Sequence, residues 1–149
     1  MPRKKKTKEE EKIEEKPKRK EPLAFAHGRR KTAVSKVQLF DGRGEIIVND
    51  RPIEEYFPGE VAKKFYQKPF EQTGTLGKYL ALVKVEGSGK SGQLNAVVHG
   101  ITNALVRLNP DFKPQLRAAG LVTRDPRAKE RRKYGLAQKA RKGKQHPKR

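Results

Sequence analysis

The last stretch of the chain, residues 123–149 (TRDPRAKERRKYGLAQKARKGKQHPKR), sets the tightest limit on what this sequence can fold into. It holds twelve Lys and Arg against Asp125 and Glu130, so about half of the +20 formal charge lies in under a fifth of the length. From Gly135 onward the only strongly apolar side chain is Leu136. Nothing there buries enough surface to offset the entropy of ordering the segment, so it is expected to be extended until a partner orders it. Fixed cations at this density repel one another. A phosphate backbone is their natural counterpart, because each contact releases a condensed counterion. The plainer reading of the same run is a solvated basic tail without a specific site.

The opposite end is also polar. Residues 1–22, MPRKKKTKEEEKIEEKPKRKEP, carry ten basic and six acidic residues, with Ile13 almost alone as an apolar side chain. Such mixed Lys/Glu blocks are expected to be disordered, either as solubilising linkers or as loose nucleic-acid contacts. With both ends set aside, about 100 residues are left to make a core, enough for one compact two-layer domain. The expected division is an extension over residues 1–22, a domain over 23–134 and a tail over 135–149. The chain has no cysteine, which removes disulfides and thiolate metal sites and fits a reducing compartment. No apolar run approaches the roughly 18 residues of a membrane span, and the first residues are too charged for a secretory signal, so a cytoplasmic protein is expected.

Within the domain the hydrophobic spacing changes period. Residues 31–40, KTAVSKVQLF, alternate small or apolar residues with Lys36 and Gln38, the signature of a half-buried strand. Asp41-Gly42-Arg43-Gly44 reads as a hairpin turn leading to a returning strand over 45–48. A second turn over 49–52 leads to a short apolar-aromatic segment, 53–57, and then to a weak helix over 61–66 that Pro69 is expected to end. YLALVKV, residues 79–85, reads as a central strand. After the loop Gly87-Ser88-Gly89-Lys90-Ser91-Gly92, the residues Leu94, Val97, Val98, Ile101, Leu105 and Leu108 fall on one side of a helix of about 16 residues. A second helix over 111–119 should close at Gly120, and a last strand is expected over 121–130, confined to an edge by Pro126. The order gives an α/β (α+β) two-layer sandwich: a mixed four-stranded sheet with helices on one face and an extended basic C-terminal tail. The outer sheet face is then free to be basic.

The strand, glycine loop and helix around Gly89-Lys90-Ser91 suggest a P-loop, but the spacing fails. A glycine is needed five positions before Gly89, and Lys84 stands there. Helix-start amides beside Lys90 would still make an anion site, although a tight turn with a solvated lysine explains the same residues. His27, His99 and His146 are scattered, with no metal-ligand spacing, and read as surface or RNA-stacking residues. Glu54 and Glu55 are adjacent beside a turn and do not suggest a catalytic dyad. Arg29, Arg30 and Lys31 cannot all face one side of a sheet, so at least one should reach phosphate. Arg124, Arg127, Arg131, Arg132 and Lys133 recur along an extended stretch that could track a groove. Tyr134 could stack on a base or serve as the last anchor of the core.

Four ordered stretches carry a resemblance: GRRKTAVSKVQLFDGRGEIIVND, IEEYF, GSGKSGQLNAVVHGITNAL and LVTRDPRAKERRKYGLAQKARK. Over residues 26–142 the chain resembles the bacterial form of the ninth protein of the small ribosomal subunit. The resemblance implies a ribosomal two-layer α/β domain, like the second domain of the fifth small-subunit protein, docked on ribosomal RNA of the subunit head. It also implies a C-terminal tail running toward transfer RNA in the peptidyl site, where Lys148 and Arg149 match the family's terminal Lys-Arg. The chain departs from the family pattern at Ser88, at Asn103 where a basic residue is common, and at His146 and Pro147 near the tip.

The expected protein is therefore a structural constituent of the small subunit and not an enzyme, with no cofactor, metal, membrane or small-molecule substrate. Its candidate rRNA contacts are Arg29, Arg30, Lys31, Lys90, Arg117, Arg124, Arg127, Arg131, Arg132, Lys133, Lys139, Arg141 and Lys142. Its candidate tRNA contacts are Lys148 and Arg149, and neighbouring proteins of the head complete its partners. Two rivals are an RNA-processing factor on a similar fold, which would need either a metal-binding carboxylate cluster, of which the sequence shows none, or an RNA partner that supplies the chemistry, and a P-loop enzyme.

Overall fold

A computed structural model describes residues 21–42, 45–136 and 139–141. The polar start of the chain, Arg43 and Gly44 of the expected turn, and the tail from Lys142 to Arg149 lie outside the described residues.

The sheet begins earlier than the period-2 run at residue 31 suggests. Strand β1, Ala24–Arg30, buries Ala24 and Ala26 and exposes Phe25, His27 and Arg29. It pairs antiparallel with β2, Ala33–Asp41, across a two-residue turn in which Lys31 has φ +54°. Lys31 is thus a turn residue rather than the start of the strand. After β3, Ile46–Val48, a tight turn at Asn49 and Asp50, both with positive φ, leads into β4, Arg51–Pro52. Strand β5, Tyr79–Glu86, is central. It runs antiparallel to β2 and parallel to β3, in the order β1-β2-β5-β3-β4. Residues 45–48 therefore do not return along β2 as a hairpin, because β5 lies between the two strands.

A parallel pair needs a long crossover, and here helices supply it. These are α1, Ile53–Tyr56, and α2, Glu60–Thr73. Pro69 sits inside α2 rather than ending it. The missing N–H is tolerated because Tyr66, Pro69 and Phe70 are all buried, so packing outweighs one lost helix bond. The helix stops at Gly74, whose φ is +62°, and the Thr75 amide donates back to the Phe70 carbonyl at 2.9 Å.

Helix α3, Lys90–Leu108, packs on β1 and β2 with Val97, Val98, Ile101 and Leu105 buried, as the 3.6-residue spacing requires. It approaches closely because of two glycines. A Cβ on Gly28 would overlap the Ala96 carbonyl and the Gly100 amide, and Ser35 Oγ donates to the same Ala96 carbonyl at 2.6 Å. A 3-10 turn, Pro110–Phe112, leads to α4, Lys113–Ala118, which buries Leu116 and ends at Gly120 with φ +74°. The helices cover one sheet face, as expected, but among the described residues the sheet has five strands rather than four. Residues 121–130 form no strand: Pro126 cannot donate to a ladder, and the β1 edge is already occupied by α3 side chains. The open face mixes Phe25, Phe40, Leu80 and Leu82 with His27, Arg29, Lys36 and Lys84.

Candidate nucleic-acid interface

Four of the expected phosphate contacts are brought together by the fold. Arg29, Arg30, Arg124 and Arg127 line a cleft of about 300 Å³ between β1, α3 and residues 120–127. Arg29 and Arg30 arrive at the end of the edge strand, and Gly120 turns the chain so that Arg124 and Arg127 meet them.

The four guanidinium groups are not equivalent. Arg30 Nη2 lies 2.9 Å from Asp125 Oδ2, and Arg30 Nη1 donates to the Arg127 carbonyl at 2.7 Å. Arg127 grips the same carboxylate, with Nη2 donating to Oδ2 at 2.7 Å and its amide to Oδ1 at 2.9 Å. The Arg127 side chain, then its amide, and more weakly the charge of Arg30 hold the Asp125 carboxyl far below the usual carboxylate range. Asp125 thus fastens the segment after α4 to β1. Arg29 and Arg124, by contrast, have no side-chain partner among the described residues, and both are exposed. They are the cations the cleft can offer to an anion.

The other expected contacts lie outside this cleft. Lys31 projects from the β1–β2 turn, and Arg117 is exposed on α4. Lys90 stands at the start of α3, but its ammonium is 3.6 Å from the Tyr56 ring centroid and donates to the Tyr56 carbonyl at 3.2 Å. The protein itself therefore supplies a partner for that charge. Farther along, Arg131, Arg132 and Lys133 are exposed. Lys133 Nζ donates to the Ala140 carbonyl at 2.7 Å, and Arg141 pairs bidentately with Glu130 at 2.6 and 3.0 Å. These bonds fold the segment back on itself, with Lys139 exposed at the bend. Tyr134 is fully exposed, so it is not an anchor of the core. Lys142, Lys148 and Arg149 are outside the described residues.

The polar side of α3 has a structural task that the sequence reading missed. His99, Asn103 and Arg107 stand four residues apart and meet the unpaired edge of β1 in register. The Arg29 amide donates to His99 Nδ1 at 3.3 Å, Asn103 Nδ2 donates to the His27 carbonyl at 3.1 Å, and Arg107 Nη1 donates to the Phe25 carbonyl. An open edge is thereby satisfied by side chains. Half-buried His99 is thus part of the scaffold and not a stacking ring, while His27 is exposed and packs edge-on against Phe25 at 4.7 Å. Polar side chains at i, i+4 and i+8 along one side of an amphipathic helix were the available signal.

A small two-layer α+β domain with two arginines that have no side-chain partner among the described residues at an edge cleft, and a basic segment beyond it, has the makeup of a scaffold protein. The chain belongs to the ribosomal protein S9/S16 family, whose model matches residues 28–149. It is accordingly a structural ribosomal protein of the small subunit, acting in translation, with the ribosome as its place in the cell. Among the described residues no helix is long and apolar enough to cross a membrane.

Proposed function

We propose that the domain, residues 23–134, binds small-subunit rRNA in the subunit head, and that the tail, residues 135–149, lends positive charge to P-site tRNA through Lys148 and Arg149. The observation that carries the first half is the pair Arg29 and Arg124, without a side-chain partner among the described residues, beside a cleft whose other two arginines are held by Asp125. A guanidinium without an internal partner gives two parallel hydrogen bonds to a phosphate. Lys31, Arg117, Arg131, Arg132, Lys133 and Lys139 extend the same positive surface, and exposed Tyr134 adds a ring able to stack. Such contacts read the shape of RNA and not its sequence, which suits a scaffold on folded rRNA and a tail that must accept every tRNA. Lys90, Lys133 and Arg141 contribute less, because each has an internal partner to give up.

One reconstitution tests both halves. Arg29→Glu/Arg124→Glu should weaken binding to small-subunit rRNA by about 2–3 kcal/mol and flatten the dependence of log K on log salt by about two counterions. Deleting residues 137–149 should leave rRNA binding nearly intact while lowering P-site tRNA affinity in the assembled subunit. An unchanged rRNA isotherm and slope for the double variant would overturn the cleft assignment. Unchanged tRNA affinity would overturn the role of the tail.

A further inference from the structure

Residues 45–77 break the charge balance of the chain. They contain six carboxylates, Glu45, Asp50, Glu54, Glu55, Glu60 and Glu71, against Arg51, Lys63, Lys64 and Lys68, a net −2 in a protein of +20. Two of these carboxylates, Glu45 and Glu54, line a groove of about 250 Å³ between β3, β4, α1 and α2. Its walls are largely apolar, from Ile53, Tyr66, Phe70 and Leu76. Leu76 is 58% exposed, a large apolar side chain left open to solvent. Tyr66 is only 3% exposed and lines the groove, with its hydroxyl left open to solvent and not buried without a partner. Burial and the nearby Glu54 charge raise its pKa, so the phenol stays protonated and available as a donor or acceptor.

From this geometry we infer that the groove seats an arginine- or lysine-bearing segment of a neighbouring ribosomal protein. The aliphatic stem of a long basic side chain fits between apolar walls while its charged head reaches a carboxylate at the rim. The Tyr66 hydroxyl suits the same guest as a hydrogen-bond acceptor. RNA does not fit, because its phosphates would meet Glu45 and Glu54 across an apolar surface. Glu54 is shared with Lys63 at 2.9 Å, but both side chains are largely exposed, so a better-buried guest cation can displace this pair at little cost. The protein thus turns two unlike sides outward, one for RNA at the arginine cleft and one for a basic polypeptide at the groove.

This inference rests on placement in the small subunit, and the test separates the two. A photo-crosslinking amino acid replaces Leu76 in the full chain, subunits are reconstituted and isolated by sedimentation, and the irradiated adducts are sequenced. Co-sedimentation reports the ribosomal placement by itself. The expected adduct is one Lys- or Arg-containing peptide of another ribosomal protein, with its yield reduced about tenfold by Glu45→Lys/Glu54→Lys while co-sedimentation persists. Both glutamates are exposed, so the substitutions leave the core intact. An adduct to rRNA, to this chain itself or to nothing, or a yield indifferent to charge reversal, overturns the inference.

Discussion

His99 is a histidine put to structural use. Its Nδ1 accepts the Arg29 amide, and the ring is half-buried beneath residues 121–124. Burial, opposed by a hydrogen bond to the Val122 backbone and aided by the Arg124 charge, lowers its pKa below the ordinary histidine value. The folded protein therefore holds the neutral ring, whereas the unfolded chain takes up a proton near pH 6.5. Stability from this source is complete above that pH and declines as pH falls toward the lower folded value. Thermal unfolding of the isolated protein should show a falling melting temperature between pH 7 and pH 5, and His99→Gln should flatten that slope. Equal slopes in the two proteins would contradict the assignment. At this scale the sequence conveyed charge but not pairing: Arg29, Arg30, Arg124 and Arg127 were all legible as cations, while the division between free and held guanidiniums depends on Asp125, ninety-five residues from Arg30 along the chain. Lys90 shows the same limit, since no local pattern connects it to Tyr56.

Helix α3 and strand β1 form the contact on which the edge cleft depends. The helix was legible because its apolar spacing is regular over five turns, and its burial follows that spacing. Strand β1, AFAHGRR, was not legible, because it buries only alanines on its inner face and places a glycine where α3 crosses. Gly28 therefore carries a specific expectation. Gly28→Ala should destabilise the domain by about 3 kcal/mol, since the new methyl meets helix backbone that cannot step aside. Gly89→Ala, with open space around it, should cost only about 0.5 kcal/mol. Chemical denaturation of both variants checks the contrast, and equal losses would mean that α3 does not sit so close. The proline in α2 and the strand missing over 121–130 share one cause. Local proline rules anticipate backbone bonds, but tertiary packing decided the first, and an edge already filled by His99, Asn103 and Arg107 decided the second.

Across the whole molecule, charge is sorted by direction. Arg29 and Arg124, which have no side-chain partner among the described residues, stand at one edge of the sheet near the basic C-terminal segment, while Glu45 and Glu54 of the acidic stretch 45–77 line an apolar groove. The total charge and the family resemblance were legible in sequence, but the segregation was only half so: the basic run stands out, and Glu45 and Glu54 gain meaning only when the fold brings them to the groove. The most direct measurement is a density map of the small ribosomal subunit containing this chain. The expected map places rRNA phosphates within hydrogen-bonding distance of Arg29 and Arg124. A map in which that arginine cleft opens onto solvent, with no nucleotide near either side chain, contradicts the assignment.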